Sequence, residues 1–413
     1  MSPEARVLPN GLRVVLVPCE AESAAVGVFV ASGSGHETEK TAGISHFIEH
    51  MLFKGTPARR PIDITRAIEG RGGNFNAFTC EESTCYYVHL PSEFLGEAVD
   101  ILADMYLNAT IPDDEFRREK EVIVEEIRMY ADEPDSVAME NLQRNLFPDS
   151  RLGAPVAGSE RSLRPMRPVD LRRYVRTHYR ADNTVVVVAG AVDPEKALAL
   201  VGRGFAPLGK ARRGAGAAVT AGSGSVVAEQ TAERDVQQAQ LALGWRTFGV
   251  TDPRCYAATV IDGLLGRGMS SRLFQEVREK RGLSYDVSSR MQFFRDAGMF
   301  VVTAGLDPAK REAALAVIDR EVRRLCDRRV SAAELRRTKD FLCGNFRLAH
   351  EKVTSKMFFY GTTMQAYGRL VPTAEQVAAV RAVTADDVLA TARAIFRADA
   401  RSVSWVLPGG ASR

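Results

Sequence analysis

The stretch 211–225, Ala-Arg-Arg-Gly-Ala-Gly-Ala-Ala-Val-Thr-Ala-Gly-Ser-Gly-Ser, limits the fold more than any other part of the sequence. It is small, flexible and poor in large apolar side chains, the composition of a linker. A chain of 413 residues exceeds what one average core accommodates, so the linker divides it into domains at 1–210 and 226–413. On the first side, the Asn10-Gly11 pair between β-prone runs predicts a hairpin, 24–31 a further strand, and 74–90 one long strand after the breaks at Gly70, Gly72 and Gly73. The β-branched run 184–189 predicts a buried strand. Helical periodicity covers about 43–53, 62–69, 91–108, 113–130 and 136–146. After the linker the same vocabulary returns, with strands near 238–245, 299–304 and 402–407 and helices near 256–265, 271–280, 308–326 and 332–349. Hairpin strands mixed with helices predict an α+β fold of two similar domains, each a mainly antiparallel sheet with helices packed on one face. No letter-by-letter repeat is visible, so a duplication here would be a distant one.

Composition removes several classes of function. Lys and Arg total 55 against 52 for Asp and Glu, a near-neutral balance that offers no phosphate-binding surface and argues against a nucleic-acid partner. No apolar run reaches the length of a membrane span, and the first residues lack a basic region followed by an apolar core. The expectation is a cytoplasmic protein with no membrane association. The six cysteines, Cys19, Cys80, Cys85, Cys255, Cys326 and Cys343, are scattered without a C-x-x-C pair, and free thiols are expected. Cys80 and Cys85 lie close together, but in a strand-like stretch where small buried thiols are common.

The predicted helix 43–53 carries His46-Phe47-Ile48-Glu49-His50. Positions i and i+4 share a helix face, so His46 and His50 can offer two imidazoles to one ion. Two neutral imidazoles suit zinc, and one carboxylate as third ligand leaves a fourth position open, the arrangement of a catalytic rather than a structural site. One zinc ion per chain is expected. Glu49, beside the imidazoles, is placed to take a proton from a water that attacks a carbonyl, and H-x-x-E-H is a known zinc-peptidase signature. The best source of the third ligand is the acidic helix 113–130. At about 100° per residue, Phe116, Ile123, Ile127 and Tyr130 share one face, Glu119 and Glu126 border it, and Glu125 points away. A carboxylate at a buried edge is costly without a partner, which a dication would supply. Glu126 is therefore the expected ligand, and Glu119, two turns earlier, a carboxylate that orients a ligand or handles protons. Glu115, Glu121 and Glu125 read as a solvated face, and Val124 departs from the apolar stripe. His36, His89, His178 and His350 are isolated and read as surface or hydrogen-bonded core residues.

With these residues assembled, nearly the whole chain resembles the pitrilysin/insulinase family of zinc metallopeptidases, in particular the branch of mitochondrial processing peptidase and its bacterial homologues. In that family H-x-x-E-H is followed by a third-ligand Glu in an E-x-E-V-[IV]-x-E-E-[IM] stretch. Glu119-Lys120-Glu121-Val122-Ile123-Val124-Glu125-Glu126-Ile127 stands at that place, so the resemblance implies the same Glu126. Gly72-Gly73-Asn74-Phe75-Asn76-Ala77-Phe78-Thr79 resembles the family's sheet-edge strand, which implies that Asn76, Ala77 and Phe78 hold a substrate peptide in extended form. Arg278-Glu279-Lys280-Arg281-Gly282-Leu283-Ser284-Tyr285 resembles its Arg and Tyr element, which implies that Arg278 and Tyr285 contact the substrate carbonyl and the developing oxyanion. By the same resemblance the fold is processing-peptidase-like, and half-length chains pair so that the metal domain of one faces the Arg/Tyr domain of another.

Because this chain carries both elements, an active homodimer is expected, with a heterodimer with a related subunit as the alternative pairing. The expected activity is zinc-dependent endopeptidase cleavage of peptides or unfolded, presequence-like segments, with Glu49 as general base. The alternatives are a non-catalytic scaffold subunit and a binding partner that contributes only Arg278 and Tyr285 to another peptidase chain. The intact His46, Glu49, His50 and Glu126 argue against both.

Overall fold

The computed structural model describes residues 2–209 and 219–409, so 211–218 of the predicted linker lie outside the described residues. In chain order the first elements are β1 (Glu4–Val7), β2 (Arg13–Pro18), β3 (Ser23–Val30), α1 (Ile44–Leu52), α2 (Pro61–Glu69), β4 (Asn74–Thr79), β5 (Thr84–Pro91), α3 (Leu95–Asn108) and α4 (Asp113–Asp132). They continue with α5 (Pro134–Leu146), α6 (Glu160–Leu163), α7 (Pro168–His178), β6 (Thr184–Gly190) and α8 (Pro194–Gly204). After the linker come β7 (Glu229–Arg234), β8 (Ala239–Thr247), α9 (Cys255–Leu265), a π-helical turn (Phe274–Glu279), β9 (Ser284–Phe293) and β10 (Gly298–Leu306). The last are α10 (Arg311–Asp327), α11 (Ala332–Ala349), α12 (Val353–Tyr367), α13 (Thr373–Ala382), α14 (Ala385–Ile395) and β11 (Arg401–Pro408).

The first compact unit comprises Met1–Ile127, Pro155–Ala218 and Leu348–Pro372. Its sheet runs β1-β2-β6-β3-β5-β4, with β2 and β6 parallel and the other neighbours antiparallel. The hairpin at Asn10-Gly11 pairs Val7 with Arg13. Alternate residues of the central strands serve two cores. Val14, Leu16, Val26, Val28, Val186 and Val188 join the core that also holds Ile48 and Leu102. Val15, Val17, Phe29, Val185 and Val187 face Met357, Tyr360 and Met364 of α12. Burial on both faces is why 185–189 is an unbroken apolar run. A Cβ at Gly361 would lie 2.4 Å from the Phe29 ring, so a side chain there would lift α12 off the sheet. The predicted helix layer on one face thus gains a second layer on the other.

The single strand expected at 74–90 is two. The polar segment 80–83 reverses the chain, β4 and β5 pair with Thr79 opposite Thr84, and β4 is left as the outer strand. An edge strand presents unpaired backbone groups to a newcomer.

The second unit comprises Arg128–Ala154, Val219–Arg347 and Thr373–Arg413. Its sheet runs β7-β11-β8-β10-β9, with β7 and β11 parallel and the rest antiparallel. Chain order and strand sense repeat those of β2-β6-β3-β5-β4, so the duplication that the letters hide is visible in the topology. Trp245, Phe300 and Phe396 meet edge to face in its core. Its other face receives Leu142 and Leu146 of α5 together with Val219, so the end of the predicted linker is packed rather than loose. The helix expected at 271–280 is the shorter π-helical turn.

The units therefore depart from the contiguous domains 1–210 and 226–413, because 128–154 joins the second unit and 348–372 the first. Each sheet takes one covering helix, α5 or α12, from the sequence of the other half.

Candidate metal centre

Helix α1 forms because Ile44, Phe47, Ile48, Met51 and Leu52 recur at helical spacing, and all five are buried. Phe47 stacks on Phe116 of α4 with ring centroids 4.5 Å apart, which fixes the two helices against each other. Glu37, a buried carboxylate, caps α1 by accepting from the amides of Gly43 (2.7 Å) and Ser45 (2.8 Å). The rings of His46 and His50 then meet edge to face, centroids 4.7 Å apart.

From α4, whose buried line is Phe116, Glu119 and Ile123, Glu126 brings Oε2 to 3.7 Å from His46 Nε2 and 3.6 Å from His50 Nε2. Those separations are too long for hydrogen bonds. They approach the edge, roughly 3.4 Å, of a tetrahedron with metal bonds of about 2.1 Å. The three side chains offer ligand atoms that all lie within 4.8 Å of one another. Burial pushes His46 down to about 4, with the neighbouring His50 acting in the same direction, so it is the neutral lone-pair donor that a metal requires. The side chains of His46, His50 and Glu126 keep 11%, 22% and 24% of their exposure, which leaves an approach for water or substrate. Two imidazoles and one carboxylate with an open fourth direction fit zinc.

His50 is held by a further carboxylate. Its Nδ1 lies 3.0 Å from Glu119 Oε2, and Glu119 is also ion-paired with Lys54. This bond assigns the proton to Nδ1 and turns Nε2 toward Glu126, the usual support of a metal-bound histidine. Among the described residues His46 has no such support, its buried Nδ1 meeting no hydrogen-bond partner there.

Glu49 stands beside this cluster. Thr79 Oγ1 donates to its Oε2 at 2.6 Å. Burial raises the Glu49 carboxyl above its ordinary value, the Thr79 bond and His50 oppose the rise, and Glu126 adds to it. A carboxylate raised in this way is a better proton acceptor.

Asn76, Ala77 and Phe78 lie on the outer strand β4. The Ala77 amide donates to Asn76 Oδ1 at 2.8 Å, so it is turned away from β5. Phe78 points to the α12 side, with its ring 5.7 Å from that of Phe358. Arg278 and Tyr285 belong to the second unit, where the guanidinium sits 4.8 Å over Phe274 and 5.0 Å over Tyr285. Tyr285 is 79% exposed, so the phenol is presented outward, with the half-buried guanidinium of Arg278 against its ring.

Three residues escaped the sequence reading. Lys54 is four positions beyond His50 and could have been found by the spacing that paired the histidines. Thr79 shares the period-two face of Phe75 and Ala77, legible only once β4 is known to end at α1. Glu37 carries no sequence signal. The remaining histidines behave as expected of core or surface residues: His36 accepts from the Gly33 amide (3.3 Å), His89 bonds Ser23 (2.9 Å), His178 stacks on Tyr174, and His350 packs edge-on to Phe359. Cys80 donates to the Ser83 carbonyl, Cys85 is buried in β5, and burial pushes both thiols up.

Known proteins resemble this chain over nearly its whole length. Residues 13–160 match the family described as insulinase (peptidase family M16), and residues 167–342 the one described as peptidase M16 inactive domain. The chain is 33% identical to the Bacillus subtilis protein named uncharacterized zinc protease YmxG, over 97% of each chain. It is 36% identical to an uncharacterized zinc protease of Mycobacterium tuberculosis, over 95% of this chain and 90% of that one. Among solved structures, a protease from Helicobacter pylori superposes with a TM-score of 0.93 at 22% identity, covering 98% of this chain and 99% of that one. A Pseudomonas fluorescens structure described as a peptidase M16 inactive domain gives 0.91 at 21% identity, over 100% of both.

Proposed function

Because the chain belongs to the insulinase family of peptidases, M16, we propose that it is a zinc endopeptidase that hydrolyses peptides or unfolded, presequence-like segments. The observation that carries this reading is the convergence of His46, His50 and Glu126 on one point with Glu49 beside it. When bound there, zinc supplies Lewis acidity at the open position. Glu49 takes a proton from the attacking water and returns it to the leaving amine. A substrate added as a further strand along Asn76, Ala77 and Phe78 is read through its backbone, which suits broad specificity; docking there displaces the Asn76 side chain from the Ala77 amide.

Arg278 and Tyr285 complete the proposal as donors to the oxyanion. The exposure of Tyr285, with Arg278 against its ring, supports a homodimer in which they serve the metal centre of a second copy, and a related subunit could take that place in a heterodimer. Among the described residues no helix is long and apolar enough to cross a membrane, and a cytoplasmic location is part of the same proposal.

The test is digestion of a mixed peptide library with and without a chelator, by the parent and by Glu49→Gln. One zinc per chain, chelator-sensitive cleavage and a metal-loaded but inactive Glu49→Gln support the reading. An undiminished rate in that variant refutes the mechanism, and a zinc-loaded parent that cleaves nothing favours the non-catalytic subunit. Mixing Glu49→Gln with Arg278→Ala chains should restore activity if the two elements meet between copies.

A further inference from the structure

We propose that Thr79 is a positioning residue that fixes the Glu49 carboxylate to the edge strand on which substrate lies, an inference that rests on the reading of Glu49 as proton acceptor. The hydroxyl of Thr79 has two neighbours, Glu49 Oε2 at 2.6 Å and Thr84 Oγ1 at 3.3 Å. Thr84 spends its own hydrogen on the Ser32 carbonyl at 2.9 Å, and the shorter distance directs the Thr79 hydrogen to Glu49. Among the described residues no other hydrogen bond reaches that carboxylate, so one oxygen is pinned and Oε1 is left for water. Thr79 is also the last residue of β4, two positions beyond Ala77. Base and substrate strand are therefore joined by one short bond to an ionisable acceptor, the strong class of hydrogen bond.

The second unit contains the same bond without the metal ligands. Ile261-Asp262-Gly263-Leu264-Leu265 of α9 occupies the place of Ile48-Glu49-His50-Met51-Leu52 in α1, between the second and third strands of the repeated topology. Each segment is followed by a glycine of positive φ, Gly55 at 102° and Gly268 at 83°. Thr259 and Gly263 stand where the imidazoles would be, yet Ser289 on the outer strand β9 donates to Asp262 Oδ1 at 2.7 Å. The link from helix carboxylate to edge-strand hydroxyl is thus a fixture of this half-fold that exists apart from metal binding. In the first unit the same fixture holds the carboxylate that the reaction would use.

The experiment compares Thr79→Val, which keeps the shape and removes the hydroxyl, with Thr79→Ser, which keeps the hydroxyl. Glu49→Gln is the reference, and kcat, KM and zinc affinity are measured for each. The expected result is a fall in kcat of about tenfold to a hundredfold in Thr79→Val, with KM and zinc affinity near parental values and Thr79→Ser restoring the rate. Parental kcat in Thr79→Val beside an inactive Glu49→Gln overturns the proposal. So does loss of zinc in Thr79→Val, which would mean that the hydroxyl acts through the helix rather than on the base. Full activity in Glu49→Gln removes the reading beneath it, and the proposal with it.

Discussion

Replacing Glu119 tests whether the metal centre depends on groups that never touch the ion. Glu119 is 8% exposed and joins two partners, His50 Nδ1 at 3.0 Å and the Lys54 ammonium. In Glu119→Ala, His50 loses the acceptor that assigns its proton to Nδ1, and Lys54 is left as a half-buried cation near the place where a dication must bind. Both losses act against zinc. Removal of such a supporting group costs about 10-fold to 100-fold in metal affinity, or roughly 1.4–2.7 kcal/mol. Because among the described residues His46 has no equivalent support, the whole effect falls on one imidazole and should reach the upper part of that range. Glu119→Gln keeps an oxygen for the Nδ1 proton but sets an amide against Lys54, so about tenfold is expected. Zinc competition against a chromogenic chelator at neutral pH measures both. Parental zinc affinity in Glu119→Ala, with loss in His50→Ala, would refute the argument that tautomer control matters here.

Other outcomes follow from the same geometry. Glu126→Ala should lose zinc while Glu125→Ala retains it, by the same competition assay; the reverse order would reassign the ligand. Phe47→Ala removes a fully buried ring stacked on Phe116 and should cost about 3–5 kcal/mol, read as a lower urea midpoint in the zinc-free protein. Burial pushes the Asp262 carboxyl up to about 6, against the opposing Ser289 bond and Arg267. The folded chain then holds a proton that the unfolded chain releases near pH 4, so stability falls from about pH 4 to about pH 6 and levels off above. Asp262→Asn should flatten that fall across a pH series of urea midpoints; an unchanged slope would count against it. A fragment 1–210 should be insoluble alone, because its sheet lacks α12, and should be recovered when 211–413 is supplied as a second chain.

The helix wheel and the coordinates put the same glutamate beside the imidazoles because α4 is a regular helix over its whole length, and periodicity fixes which side chains share a face. The edge strand was harder. Residues 74–90 alternate as strand throughout, and only the polar residues at 81–83 hint at the reversal between β4 and β5. The covering helices were the least legible part. In α12, Val353, Met357, Tyr360 and Met364 recur at helical spacing and announce a buried face. Periodicity says that a face is buried but not which sheet buries it, so nothing local assigned α12 to the first sheet or α5 to the second. Lys54 and Thr79 went unseen for a related reason, since their roles depend on what α4 and β4 bring to them from elsewhere in the chain.

The repeated topology gives a physical reason why, among the described residues, a metal-ligand cluster occurs in the first unit only. Where His50 meets Glu119, the second unit places Gly263 against Thr338 of α11, and a Cβ added at Gly263 would lie 2.8 Å from Thr338 Cγ2. A side chain there requires Thr338 or Leu342 of α11 to give way. The residue after the helix that matches Lys54 is Arg267, which among the described residues meets no glutamate and lies 3.7 Å from Asp262 instead. In the first unit, Glu119 occupies Lys54 and supports His50, so Glu49 is left to Thr79 alone. In the second, Arg267 and Ser289 both attend Asp262. At the positions of His50 and Glu119 the second unit therefore carries Gly263 and Thr338, and its remaining acid has a different charged partner, while the helix-to-edge-strand bond is present in both.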